Sequence, residues 1–142
     1  MLIVTDIRTI GRIQADQKFA IVRSLTRPIT GVSQWADLSP SRDLFREYLR
    51  LRDAGKWDAK AFEEIYVPKF LAEMRQPRAQ AALAKLHDMA MNANVAVACF
   101  CTDESMCHRS IVASLLAATG VAIRMKTPVN PRYAELYRAM AA

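Results

Sequence analysis

Cysteine is scarce, with three residues in 142. An odd set with two members at positions 99 and 101 argues against the disulfide framework of a small secreted domain. No apolar run approaches the roughly 18 residues needed to cross a membrane. The opening Leu2-Ile3-Val4 gives way at once to Asp6 and Arg8, so neither a signal-peptide core nor a cleavage pattern is read there. Internal repeats, low-complexity tracts, paired C-x-x-C knuckles, recognition-helix motifs and an aromatic RNA signature are all missing. These absences predict a protein of the reducing cytoplasm with no membrane partner and no second domain.

The chain does hold enough apolar material for one core, at 52% hydrophobic and 24% charged residues. Its formal charge of +6 favours acidic partners, with phosphates and nucleic acids as the usual candidates. Leu2 to Ile7 and Phe19 to Leu25 read as short strands rich in β-branched residues, joined by a loop over residues 8 to 17. The stretch from Thr26 to Ser41 carries Pro28, Gly31 and Pro40, lacks periodicity and reads as a long connection anchored by Trp35.

Ser39-Pro40 reads as a helix start, with the helix running to about Asp53 and ended by Gly55. Glu47 and Arg50 are spaced to pair on its face. Asp58 can cap a second helix with apolar positions Phe62, Ile65, Tyr66, Phe70 and Met74, bent where Pro68 removes a hydrogen bond. Pro77 opens a third helix to about Met91, on which His87 reads as a structural histidine.

Val95 to Cys101 is a nearly continuous apolar run, the pattern of a strand covered on both faces in a parallel sheet. It leads through Thr102 to Met106 into a helix with Ile111, Val112, Leu115 and Leu116 inside. Gly120, a strand from Val121 to Ile123 and a terminal helix opened by Asn130-Pro131 complete the pattern. The expectation is an α/β fold, one small domain over residues 1 to 142, with a mostly parallel central sheet flanked by helices.

The chemistry concentrates at the turn carrying Cys107, His108 and Arg109. Free backbone N–H groups and the positive end of the helix dipole favour anions and thiolates at such a junction. In open parallel sheets, ligands gather beyond the carboxyl ends of strands. Arg23 and Arg27 bracket the end of the second strand and can clamp a phosphate or carboxylate, and Asp6 and Arg8 at the end of the first can join the same pocket. An Asp6–Arg8 or Asp6–Arg23 ion pair is the plainer alternative.

For Cys107 and His108 two readings stand. One is catalytic, a thiolate nucleophile with His108 or Arg109 stabilising charge. The other makes Cys107 a packed filler, His108 a structural donor and Arg109 a partner for Asp103 or Glu104. Cys99, Cys101, Cys107 and His108 together offer a soft-metal set, but the missing knuckles leave no metal assigned, and no cofactor is indicated. A disulfide between Cys101 and Cys107 requires the loop to fold back.

With those residues in view, the chain resembles the bacterial domain-of-unknown-function family numbered 488, in its YeaO-like branch. The match runs through the strand Val95 to Cys101, the acidic Asp103-Glu104 and the Cys107-His108-Arg109 helix start. It continues in Arg23 and Arg27 of an Asp-Arg-x-Trp-Pro-Arg-Gly loop, in Trp35 with Pro40-Ser41, and in the aromatic helix from Trp57 to Phe70. Val22, Leu25, Thr26 and Pro28 replace the loop's Asp, Trp, Pro and Gly. The resemblance implies a fold and a site, not a reaction. The leading functional expectation is a small protein binding an anionic ligand, such as a phosphate-bearing metabolite, nucleotide or nucleic-acid end. Its alternatives are a Cys-dependent hydrolase or transferase and a partner-binding module without a ligand.

Overall fold

Five parallel strands form the sheet in the computed structural model, which describes residues 1–141. They are β1 (Leu2–Asp6), β2 (Gln17–Ala20), β3 (Ser33–Gln34), β4 (Val95–Cys99) and β5 (Ile123–Arg124), in the spatial order β3-β2-β4-β1-β5. β4 and β1 pair along their whole length, from Leu2 opposite Val95 to Asp6 opposite Cys99. Every residue of β4 is buried, as its unbroken apolar run requires. β5 lies parallel, as expected of a β-α-β unit, but pairs with β1 rather than β4.

The helices are α1 (Arg42–Asp53), α2 (Ala59–Ala61), α3 (Val67–Glu73), α4 (Pro77–Asn92), α5 (His108–Ala117) and α6 (Pro131–Ala139). All but the three-residue α2 share one core with Leu2, Val4, Val95 and Val97. The opposite face of the sheet, Ile3, Ala96 and Ala98, is covered by irregular chain. Ile10, in a 3₁₀ turn over Ile10–Arg12, packs there with the partly buried Ile7, Ile13, Ile29 and Val32. The sheet therefore has helices on one side and loops on the other, where the sequence predicts helical flanks. Small side chains at positions 96 and 98 let a thin loop layer close that face.

Several boundaries move for physical reasons. β2 ends at Ala20, five residues short of the expected end, and β3 arises inside the presumed loop. Trp35 anchors that loop as predicted, with its N–H on the Ala20 carbonyl at 2.8 Å and its ring 4.8 Å from Phe19. The cap of α1 is Ser41, not Ser39; its Oγ accepts from Leu44 N–H at 3.1 Å. Glu73 fixes this choice, because its carboxylate accepts from Ser41 N–H at 2.8 Å and from the Ser41 hydroxyl. Glu47 pairs with Lys69 at 2.7 Å rather than with Arg50. Gly55 and Gly120 follow α1 and α5 at φ of 70° and 98°, a conformation that side chains with a Cβ rarely adopt.

Pro68 has no N–H for the carbonyl of Glu64. The chain ahead of it widens into a π-helical turn over Phe62–Tyr66, closed by Val67 N–H on the Phe62 carbonyl. Phe62, Tyr66 and Phe70 stack along this segment with ring separations of 5.6 and 6.1 Å. Phe70 is fully buried and also packs 5.5 Å from the ring of His108. The bent helix is thus wedged against the start of α5, whose residues 108–116 are all buried.

Candidate functional site

A cavity of about 200 Å³ opens beyond the carboxyl ends of β2 and β4, above the start of α5. Phe45, Tyr48, Trp57, Tyr66 and Phe100 supply aromatic walls. Tyr48 meets Trp57 edge-on at 4.7 Å, and Trp57 meets Tyr66 edge-on at 5.7 Å. The cysteines, His108 and Arg23 line the same space.

The strand and the turn bring the three sulfurs together. β4 delivers Cys99, the chain continues two residues to Cys101, and the loop then folds back through a 3₁₀ turn over Glu104–Met106 to Cys107. All three Sγ atoms lie within 4.8 Å of one another. Cys99 and Cys107 are buried and 2.8 Å apart, whereas Cys101 is half-buried at the cavity. Two sulfurs bound to one tetrahedral zinc, at about 2.3 Å each, stand about 3.8 Å apart, so shared ligation by this cluster requires Cys99 and Cys107 to separate by about 1 Å. His108 lies outside the sulfur group.

The thiols are electrostatically unlike. The neighbouring thiols of Cys107 and then Cys99, reinforced by the Arg109 charge, draw the Cys101 thiol below its ordinary range. Complete burial pushes Cys107 upward. Cys99 is also pushed up, chiefly by its hydrogen-bond relation to Cys101. Of the three, Cys101 is thus the thiol whose environment favours ionisation, while burial disfavours it at Cys107, the nucleophile candidate of the sequence.

His108 is buried, and desolvation lowers its pKa, so its ring is neutral. Its Nε2 lies 2.7 Å from the Ile21 carbonyl, which accepts a hydrogen and so fixes the proton on Nε2. Nδ1 is left with its lone pair towards Cys107 Sγ, 3.6 Å away. Tyr48 faces the cavity as a phenol, its pKa raised by burial and by the Cys101 charge.

Arg109 does not reach out to a ligand or to the neighbouring acids. Its guanidinium is 2% exposed and donates to the carbonyls of Thr5 at 2.8 Å, Cys101 at 3.0 Å and Cys99 at 3.4 Å. Glu104 instead accepts from Thr127 N–H, and Asp103 caps its own turn through Ser105 N–H. No carboxylate pairs with Arg109 among the described residues; backbone carbonyls take its donors.

Of the other predicted ligand residues, only Arg23 lines the cavity, with its Nε donating to the Pro40 carbonyl at 3.2 Å. Arg27 is exposed and lies away from it. Asp6 and Arg8 form the plainer ion pair, at 3.8 Å, and neither lines the cavity. The start of α5 is closed by the buried Cys107, His108 and Arg109, so its amides do not form an open anion cradle. Sequence reading did not place Cys101 at a cavity. The one available signal was its position two residues after Cys99 and outside the buried strand.

A family model described as DUF488-N3a, the active DUF488-N3 subclade, matches residues 6–120. The chain belongs to the DUF488 family, and the matched segment contains β2, β4, the three cysteines and the whole Cys-His-Arg turn. No curated protein and no solved structure matches the chain. Among the described residues no helix is long and apolar enough to cross a membrane.

Proposed function

We propose that this protein is a thiol-dependent enzyme of the cytoplasm in which Cys101 is the nucleophile. The observation that carries the reading is the position of Cys101 in the lining of an aromatic-walled cavity, with two buried thiols and a carbonyl-bound Arg109 behind it. A preformed thiolate at a concave, mostly apolar site is what covalent catalysis on a small electrophile requires.

Arg23 carries forward the anion-binding expectation in narrower form. Its Nη atoms make no hydrogen bond among the described residues, and a phosphate or carboxylate on the substrate would be held there. The aromatic walls suit a flat apolar body. The substrate is therefore a small amphipathic anion, and a nucleotide fits this description better than a nucleic-acid groove does.

Alkylation by iodoacetamide, followed residue by residue by mass spectrometry, tests the proposal. Cys101 is expected to react at about pH 6 at least about tenfold faster than a free thiol, with the fast phase absent in Cys101→Ser. A Cys101 no faster than free cysteine at that pH overturns it.

A further inference from the structure

We propose that the site performs thiol–disulfide exchange, with Cys101 attacking a small disulfide and Cys107 resolving the adduct. This inference rests on the nucleophile assignment above and names the substrate class and the second thiol.

The geometry separates the two roles that such exchange requires. An attacking sulfur must be accessible and ionised, whereas a resolving sulfur must be shielded from solvent and within reach of the adduct. Cys101 faces the cavity, and Cys107 is 1% exposed with its Sγ within 4.8 Å of Cys101 Sγ. The loop from Thr102 to Met106 folds back, which was the condition for bridging these two cysteines. His108 supplies the proton acceptor, since the Ile21 carbonyl holds its hydrogen on Nε2 and leaves the Nδ1 lone pair beside Cys107.

The steps balance. The Cys101 thiolate attacks one sulfur of R–S–S–R′, forming a Cys101–S–S–R bond and expelling R′–S⁻. Cys107 then attacks Cys101 Sγ, giving its proton to His108 Nδ1 as the bond to R breaks. R–S⁻ leaves and recovers that proton from His108. The products are R′–S⁻, R–SH and a Cys101–Cys107 disulfide. The substrate disulfide has been reduced by two electrons taken from the two cysteines. A small dithiol restores both thiols by the reverse exchange.

The cavity points to the kind of disulfide. Its aromatic walls accept a flat apolar half, and Arg23 at its edge accepts a negative charge. A symmetrical nitrothiobenzoate disulfide has both features and releases a coloured thiolate, so it serves as the probe.

The full chain, reduced and freed of reductant, is treated with one equivalent of the probe. The expected result is rapid release of both halves and no retained adduct. Digestion after Phe100, which separates Cys99 from Cys101, is expected to recover a Cys101–Cys107 cross-link. Cys107→Ser is expected to release one half quickly and keep the other on Cys101. If that variant fails to fold, the wild-type stoichiometry and cross-link decide the matter alone. Wild-type protein that retains a stable Cys101 adduct overturns the exchange proposal and leaves the nucleophile standing. Absence of fast release overturns both, as does stoichiometric zinc that blocks every thiol until chelated. A cross-link from Cys101 to Cys99 removes Cys107 from the resolving role.

Discussion

Arg109 and Cys101 are joined by a 3.0 Å hydrogen bond from a guanidinium nitrogen to a backbone carbonyl, so the buried cation holds in place the residue proposed as the nucleophile. The same guanidinium takes the Thr5 carbonyl at 2.8 Å and thereby ties the carboxyl ends of β1 and β4 together. Arg109→Met leaves these carbonyls without donors and Cys101 without a neighbouring positive charge. The expected cost is about 3–5 kcal/mol, as for removal of one partner from a buried charged network. Urea unfolding measures it. In any folded fraction, the pH midpoint of Cys101 alkylation moves upward because a cause of its depression is gone.

Arg23 and Arg27 are distinguished by reagent charge. Arg23→Ala is expected to slow modification of Cys101 by iodoacetate more than by iodoacetamide, since only the former presents a carboxylate to the cavity edge. Arg27→Ala leaves the ratio of the two rates unchanged, because its side chain lies away from that edge. Equal effects of the two variants would mean that the guanidinium lining the cavity has no special part in recognition.

The strand β4 and the Cys-His-Arg turn were legible because one long apolar run can only be a strand covered on both sides, and the turn leaving it must stand at a sheet end. The roles within the turn were not. Asp103 and Glu104 lie close to Arg109 in sequence, and nothing local reveals that two strand-end carbonyls and that of Cys101 will claim the guanidinium first. Which cysteine ionises depends on burial and on the fold-back of the loop. Alternation along a strand running to Cys101 puts Cys99 and Cys101 on one face, and it is broken where β4 stops at Cys99. Pro68 announced a bend, but the π turn preceding it, which seats Tyr66 at the cavity, is a tertiary outcome. β3 is two residues long, Ser33 and Gln34, and carries no β-forming signal of its own.

Ser41 and Glu73 form a reciprocal lock between the start of α1 and the end of α3. Ser41→Ala is expected to cost about 1 kcal/mol through the lost cap, and Glu73→Gln about 1–2 kcal/mol through the weakened charged acceptor. The double variant should cost less than the sum, since each residue serves the other. Chemical denaturation of the four proteins reads the coupling, and strict additivity would show that Ser41 caps α1 unaided.

His87 bridges helices at the surface, with Nε2 3.2 Å from the Thr119 carbonyl after α5 and Nδ1 3.2 Å from Asp88. Its pKa is raised, first by the Asp88 hydrogen bond and then by the Thr119 carbonyl. A raised folded value means that its contribution is fully present below the unfolded pKa of about 6.5 and fades as pH rises through the folded one. His87→Ala should therefore lose more stability at about pH 5 than at about pH 9. Thermal denaturation with an equal penalty at both values would remove the charged bridge as its source.

Trp57 stands edge-on between Tyr48 and Tyr66, in the wall of the cavity, while the chain's other tryptophan, Trp35, is committed to Phe19 at the sheet edge. The molecule thus carries its own optical gauge: in Trp35→Phe, every photon emitted by indole originates in the wall of the cavity. Occupancy of the chamber becomes visible without attaching a dye.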